Sequence, residues 1–72
     1  MRQNARMQIE LNGQPRHFPE ATTLAQLLAG EGLAERRVAV EVNGEIVPRG
    51  QHAAHALGQG DRVEVVHALG GG

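Results

Sequence analysis

Several residue types are missing or scarce in this chain, and each absence excludes a class of site. There is no cysteine among the 72 residues, which excludes disulfides, thiolate metal ligands and thiol catalysis on this chain. Tryptophan and tyrosine are absent and Phe18 is the only aromatic residue, so the core must be built from aliphatic side chains. No apolar run approaches the roughly 18 residues of a membrane-spanning helix.

The chain has no strong excess of positive or negative charge. The formal net charge is −1, with acidic and basic residues interspersed, which argues against binding to nucleic acid or to a membrane surface. Lysine is absent, and the seven basic residues are all arginine. The abundance of Ala and Gly points to genome composition as the cause. Residues 1–11 lack the apolar centre of a signal peptide, so a cytoplasmic location is expected.

The first half of the chain predicts a hairpin. Residues 7–11 alternate strictly between apolar and polar, which is typical of a strand with one buried face. Asn12-Gly13 follows, and this dipeptide is the strongest short signal for a hairpin turn. Residues 14–18 then form the returning strand, with Pro15 tolerated at a sheet edge.

A short helix is predicted next. Thr23 and Gln26 have the spacing of a capping box, which would satisfy two backbone N–H groups at the start of a helix. The apolar stripe of this helix is Leu24, Leu27 and Leu28, and Gly30 and Gly32 indicate its end.

The second half of the chain predicts three more strands. Residues 38–42 again alternate between apolar and polar positions, which predicts a strand. Asn43-Gly44 repeats the hairpin-turn signal, and residues 45–47 are expected to form the strand that follows the turn. Residues 51–57 are expected to form a short helical turn, and residues 62–66 the last strand. This order indicates an α+β fold with one helix on a small mixed sheet. We expect the last strand to lie parallel to the first, in the centre of the sheet.

The chain ends on Gly70-Gly71-Gly72. Glycine has no side chain and the freest backbone, so such an end can enter a narrow channel, and its carboxylate is unhindered. From His67 to Gly72 the extended chain reaches roughly 20 Å. We therefore expect a flexible tail over residues 68–72. The domain is expected to span residues 7–67 and to follow a disordered extension, residues 1–6. Either Met1 or Met7 can be the native start.

Together these segments resemble the β-grasp (ubiquitin-like) fold. The resemblance is narrower to the ThiS family, the sulfur carriers of thiamine biosynthesis. It covers residues 7–72, and its most specific part is the block Val42-Asn43-Gly44-Glu45-Ile46-Val47-Pro48-Arg49, which reads VNGxIVPR. The Gly-Asp before the last strand and the terminal glycines also match, but they occur throughout the superfamily.

The resemblance implies a reaction cycle at Gly72. A ThiF-type, E1-like adenylyltransferase would use ATP and Mg²⁺ to adenylate its carboxylate. Sulfur from a donor such as a cysteine desulfurase would then give a thiocarboxylate, which a ThiG-type thiazole synthase would consume. By this resemblance the chain is a carrier and not an enzyme, and it binds no cofactor of its own.

Three residues are candidates for docking to a partner. Val66 and Leu69 lie beside the tail. Alternation in the last strand directs Val63 and Val65 inward and Val66 to the opposite face, where an apolar patch would suit an interface; closure of the core edge is the alternative. Arg49 would meet an acidic partner, or it is simply a solvent-facing residue.

Four histidines raise the question of a metal site. His52 and His55 are three residues apart and would share a face of a helix. Structural zinc takes four ligands, however, and nothing in the pattern brings His17 and His67 to the other two. We expect no metal site.

Other functions remain open from the sequence. The small subunit of molybdopterin synthase uses the same thiocarboxylate chemistry, although the residues before its glycines look different. A ubiquitin-like modifier would form isopeptide bonds with partner lysines. A purely structural domain would not need its terminal glycines.

Overall fold

The computed structural model of this chain describes residues 5–67. These residues form a five-stranded sheet in the order β2-β1-β5-β3-β4, with one helix packed on it. The elements are β1 Arg6–Leu11, β2 Gln14–Pro19, α1 Leu24–Gly30, β3 Val38–Val42, β4 Glu45–Ile46, a short 3₁₀ helix Arg49–Gln51 and β5 Arg62–His67. The predicted α+β class and the β-grasp arrangement are confirmed.

Both predicted hairpin turns are present. Asn12 and Gly13 have φ of 50° and 84°, and Asn43 and Gly44 have φ of 53° and 88°. Positive φ at both central positions defines the type I′ turn, whose twist matches that of the flanking strands. Asn and Gly tolerate this backbone region best. This explains why the same dipeptide connects β1 to β2 and β3 to β4.

The last strand lies where the element order predicted. β5 runs parallel to β1, with Glu10 beside Arg62 and Leu11 beside Val63. On its other side β5 is antiparallel to the whole of β3. The strand that leads into the glycine tail therefore occupies the centre of the sheet.

Some strand ends differ from the predicted bounds. β1 begins one residue before the boundary expected at Met7, because Arg6 pairs with Pro19 and its guanidinium donates to the carbonyl oxygen of His17 at 3.1 Å. β5 continues one residue beyond Val66, to His67.

Helix α1 is closed at both ends by local hydrogen bonds. At its start, the backbone N–H of Gln26 donates to Thr23 Oγ1 at 3.1 Å and that of Thr23 donates to Gln26 Oε1 at 2.9 Å, so the predicted capping box is confirmed. At its end, Gly32 has φ of 77° and the N–H of Leu33 donates to the carbonyl oxygen of Leu28 at 2.8 Å. This is the Schellman arrangement, in which glycine ends the helix. Within residues 5–67 no helix has the length and apolar character needed to cross a membrane.

The helical turn predicted over residues 51–57 is present in part, because the N–H of Ala54 donates to the carbonyl oxygen of Gln51 at 3.1 Å, but its bounds differ. A 3₁₀ helix begins earlier, at Arg49, directly after Pro48. The residues that follow serve α1 instead: the N–H of Leu24 donates to the carbonyl oxygen of His55 at 3.0 Å, and that of Ala25 to the carbonyl oxygen of His52 at 3.1 Å. The first N–H groups of a helix have no partner within it, so this long-range contact satisfies them.

The core between the sheet and α1 is aliphatic, as the scarcity of aromatic residues predicted. Phe18 only packs against its margin. Complete burial of one such aliphatic side chain contributes about 1.5–3 kcal/mol. The buried apolar residues are Met7, Ile9, Leu11, Leu24, Leu27, Leu28, Val40, Val42, Val47, Leu57 and Val63.

Candidate functional site: the end of strand β5

The candidate site is the place where β5 leaves the sheet. β5 ends at His67, the last residue that the structure describes. The predicted tail residues Leu69, Gly70, Gly71 and Gly72 lie outside the described part of the chain. The site is therefore defined by what holds β5 and by the surface around its end.

The backbone of β5 is held by side chains from both hairpin turns. Its N–H at Arg62 donates to Asn43 Oδ1 at 2.9 Å, and its N–H at Val65 donates to Asn12 Oδ1 at 2.8 Å. The sequence predicted these asparagines as turn residues alone. Each has a second role that a glycine at the same position would not supply.

Asp61 completes this support at the start of β5. Its Oδ1 accepts a hydrogen bond from Asn43 Nδ2 at 3.0 Å, and its Oδ2 accepts one from the N–H of Gly58 at 2.8 Å. Its backbone carbonyl oxygen accepts from the N–H of Glu10 at 2.9 Å. The loop that enters β5 is thus connected to β1 and to the second hairpin turn.

The final residues of β5 are held on one side only. Val66 pairs with Ala39 and His67 with Val38, both on β3, whereas the pairing with β1 ends at Val63. The side chain of Val66 is 61% exposed, which places it on the outer face, as alternation predicted, and excludes closure of the core edge. Its role in docking stays a prediction.

Arg49 lies away from Val66. It lines a shallow groove of about 170 Å³ together with Ala25, Leu28 and His52, on the side of the sheet that α1 covers. The structure therefore does not bring these two docking candidates together, because the sheet lies between them. An acidic partner of Arg49 stays a prediction for a separate surface.

The four histidines lie in three separate parts of the fold, with His52 and His55 in the same segment after β4. His52 is buried, and its Nε2 is 2.9 Å from the carbonyl oxygen of Val47, a contact that ties the 3₁₀ segment to the end of β4. His17 lies on the edge strand β2 and His67 at the end of β5. Within residues 5–67 no three His, Cys, Asp or Glu side chains are grouped so that they can hold a metal ion.

A salt bridge joins β2 to the end of α1. Arg16 Nη2 lies 2.6 Å from Glu31 Oε2, and the guanidinium also stands 5.4 Å from the centre of the Phe18 ring. The hydrogen bond from Arg16 holds the pKa of Glu31 below its ordinary value, and the same bond raises the pKa of Arg16. This pair fastens the helix to the edge of the sheet.

Comparison with known proteins identifies the family. The model of the ThiS family matches residues 9–72, which is most of the chain and includes the glycines at its end. The chain belongs to the ThiS family. A solved structure agrees with this: the thiamine biosynthesis protein ThiS of Geobacter metallireducens superimposes with a TM-score of 0.80 at 33% identity, covering 92% of this chain and 100% of that one.

Two curated relatives place a ThiS-like region inside a larger protein. This ThiS-family chain is 48% identical over 66 residues to a thiazole synthase of Magnetococcus marinus, and 42% identical over 66 residues to a thiazole synthase of Paramagnetospirillum magneticum. In both, the match covers 92% of this chain but 20% of the relative. The chain thus spans about a fifth of the length of these relatives.

Proposed function

We propose that this chain carries sulfur as a thiocarboxylate on Gly72 and delivers it for formation of the thiazole ring in thiamine biosynthesis. The observation that supports this most is the family match, which runs through the fold to the last residue, 72. The arrangement of β5 is consistent with it, because the strand that precedes the glycines in the sequence is held in the sheet by β1 and by the asparagines of both hairpin turns.

Activation of Gly72 must come before sulfur transfer, because a free carboxylate has no good leaving group. The carboxylate attacks the α-phosphate of ATP on a ThiF-type adenylyltransferase, which supplies Mg²⁺ and releases pyrophosphate. A persulfide sulfur, from a donor such as a cysteine desulfurase, then displaces AMP, and cleavage of the S–S bond by a thiol leaves the thiocarboxylate. The role of this chain is to present Gly72, with Gly70 and Gly71 keeping the approach narrow.

A ThiG-type thiazole synthase is the proposed acceptor of the sulfur. Two thiazole synthases that contain a region similar to this chain support this choice. The same finding favours the thiazole route over the molybdopterin route, which shares the thiocarboxylate chemistry.

Intact-mass spectrometry tests the proposal. The protein is incubated with ATP, Mg²⁺, the cognate adenylyltransferase and a sulfur source, and replacement of one oxygen by sulfur should add roughly 16 Da. A matched chain that lacks Gly72 should gain no mass, because its carboxylate ends one residue short. If the full chain stays unmodified while the adenylyltransferase is shown to form adenylate on another carrier, the proposal is wrong. Conjugates to lysines of other proteins would point to a modifier instead.

A further inference from the structure

The outer face of the sheet carries two like charges opposite each other. β3 and β5 pair so that Glu41 stands directly beside Glu64, while their neighbours Val40 and Val63 project into the core. Neither glutamate forms an ion pair with another residue of the described range 5–67. Like charges in directly opposite positions destabilise a strand pair, so this arrangement costs the free protein stability.

The surrounding charges reduce this repulsion only in part. Arg62 precedes Glu64 by two residues on β5 and therefore shares its face. Arg62 also stands beside Glu10 on β1. This part of the outer face thus carries one arginine and three glutamates, Glu10, Glu41 and Glu64, so its formal charge is negative.

Exposed apolar side chains flank the two glutamates. Ile46 on β4 stands opposite Glu41 and is 61% exposed. Val66, the equally exposed residue of β5, stands opposite Ala39. We call this surface the acidic-apolar face, and it consists of Ala39, Glu41, Ile46, Glu64 and Val66.

We propose that the acidic-apolar face docks on a surface of thiazole synthase that bears arginine or lysine among apolar side chains. The chemistry of the face identifies such an occupant, because a cation placed between Glu41 and Glu64 replaces their repulsion by two attractions. Ile46 and Val66 supply the apolar area beside it. Val66 is also followed within six residues by the end of the tail, so docking here places the tail at the same partner.

The choice of partner rests on the proposed function. Relatives that are thiazole synthases and contain a similar region support it, because a domain within the same chain meets the rest of that protein at high effective concentration. The charged pair acts mainly on the rate of encounter and on its salt dependence, as charges at an interface generally do.

The variant Glu64→Gln separates the docking role from a structural one, since the two predict opposite signs. Removing the repulsion should raise the thermal midpoint of the free protein by about 1–4 °C. The association rate with purified thiazole synthase at low salt should fall roughly two- to fivefold, with a weaker dependence on salt. The matched control is Glu35→Gln, which removes the same charge at an exposed position in the connection between α1 and β3, and should change neither quantity.

A charge reversal extends the test. Glu64→Lys places a cation opposite Glu41. The thermal midpoint of this variant should therefore also lie above that of the unaltered protein, and its association rate should be lower than that of Glu64→Gln. If both variants associate at the rate of the Glu35→Gln control, or if their midpoints fall, the inference is wrong. Failure of the unaltered protein to bind thiazole synthase at all would overturn the proposed function as well, so the two failures are distinguishable.

Discussion

The two ends of β5 are held in different ways. At its start, Val63 pairs with Leu11 of β1 on one side and with Val42 of β3 on the other, and it is completely buried. At its end, Val66 and His67 pair with β3 alone, and Val66 is largely exposed. The strand is thus fixed where it enters the sheet and accessible where it leaves. A carrier needs this combination, because its terminus must enter another protein while the domain stays folded.

Truncating one valine at each end gives the largest predicted contrast. Val63→Ala leaves a cavity in the core and should lower the free energy of unfolding by about 2 kcal/mol. Val66→Ala should change it by less than about 0.5 kcal/mol, as is usual for surface substitutions. Chemical denaturation of both variants measures the difference. Equal losses would show that the end of β5 is as integral to the core as its start.

The asparagine at the second hairpin turn tests how the start of β5 is held. Asn43→Gly keeps the positive φ of the turn but removes the hydrogen bonds to Arg62 and Asp61. We expect a loss of about 1 kcal/mol in the free energy of unfolding, because each such bond contributes about 0.5–1.5 kcal/mol and water can replace part of it.

Amide hydrogen exchange locates that effect. The N–H of Arg62 should exchange faster in Asn43→Gly than in the unaltered protein. The N–H of Val65, which donates to Asn12, is the internal control and should follow only the global change. An unchanged exchange rate at Arg62 would contradict the proposed support of β5.

A strained residue in the connection between β2 and α1 gives a smaller effect of opposite sign. Ala21 has φ of 67°, a region that costs a residue with a side chain about 1–2 kcal/mol. Ala21→Gly should therefore raise the free energy of unfolding by about 0.5 kcal/mol once the greater chain entropy of glycine is subtracted. Ala29→Gly, at an exposed position of α1, is the matched control and should lower it by roughly the same amount. A loss of stability in both variants would mean that no strain is stored at Ala21.

The smallest predicted effect belongs to the salt bridge between Arg16 and Glu31. The hydrogen bond from Arg16 lowers the pKa of Glu31, so its contribution to stability is present above the pKa of an unfolded-state glutamate and is lost as the pH falls through the lowered value. The pair is partly exposed, and water screens it. The thermal midpoint of Glu31→Gln should lie slightly below that of the unaltered protein at pH 7 and should converge with it as the pH falls below the ordinary pKa of a glutamate. A gap that persists in acid would assign the loss to packing instead of charge.

The parts of the fold that depend on local chemistry could be predicted from the sequence. Asn12-Gly13 and Asn43-Gly44 specify their turns through backbone φ, and Thr23 with Gln26 specifies the start of α1, because each motif acts within a few residues. The parallel position of β5 followed from the order of elements that the β-grasp fold requires.

The contacts between distant segments could not be predicted in this way. The hydrogen bond from the N–H of Val65 to Asn12 joins residues 53 positions apart. The position of Glu41 directly opposite Glu64 depends on the register between β3 and β5, which only the packed sheet determines. His52 was uninformative in the sequence because residues 51–57 have no clear period, although its carbonyl oxygen and its imidazole serve α1 and β4.

Isotope transfer tests the central claim most directly. The protein is first loaded at Gly72 with ³⁴S and separated from the loading enzymes. It is then mixed in a single turnover with thiazole synthase and the remaining substrates. The account predicts that the thiazole product carries the label and that the protein returns to its carboxylate mass at the same rate. Unlabelled thiazole, or a thiocarboxylate that persists while thiazole forms, would contradict it.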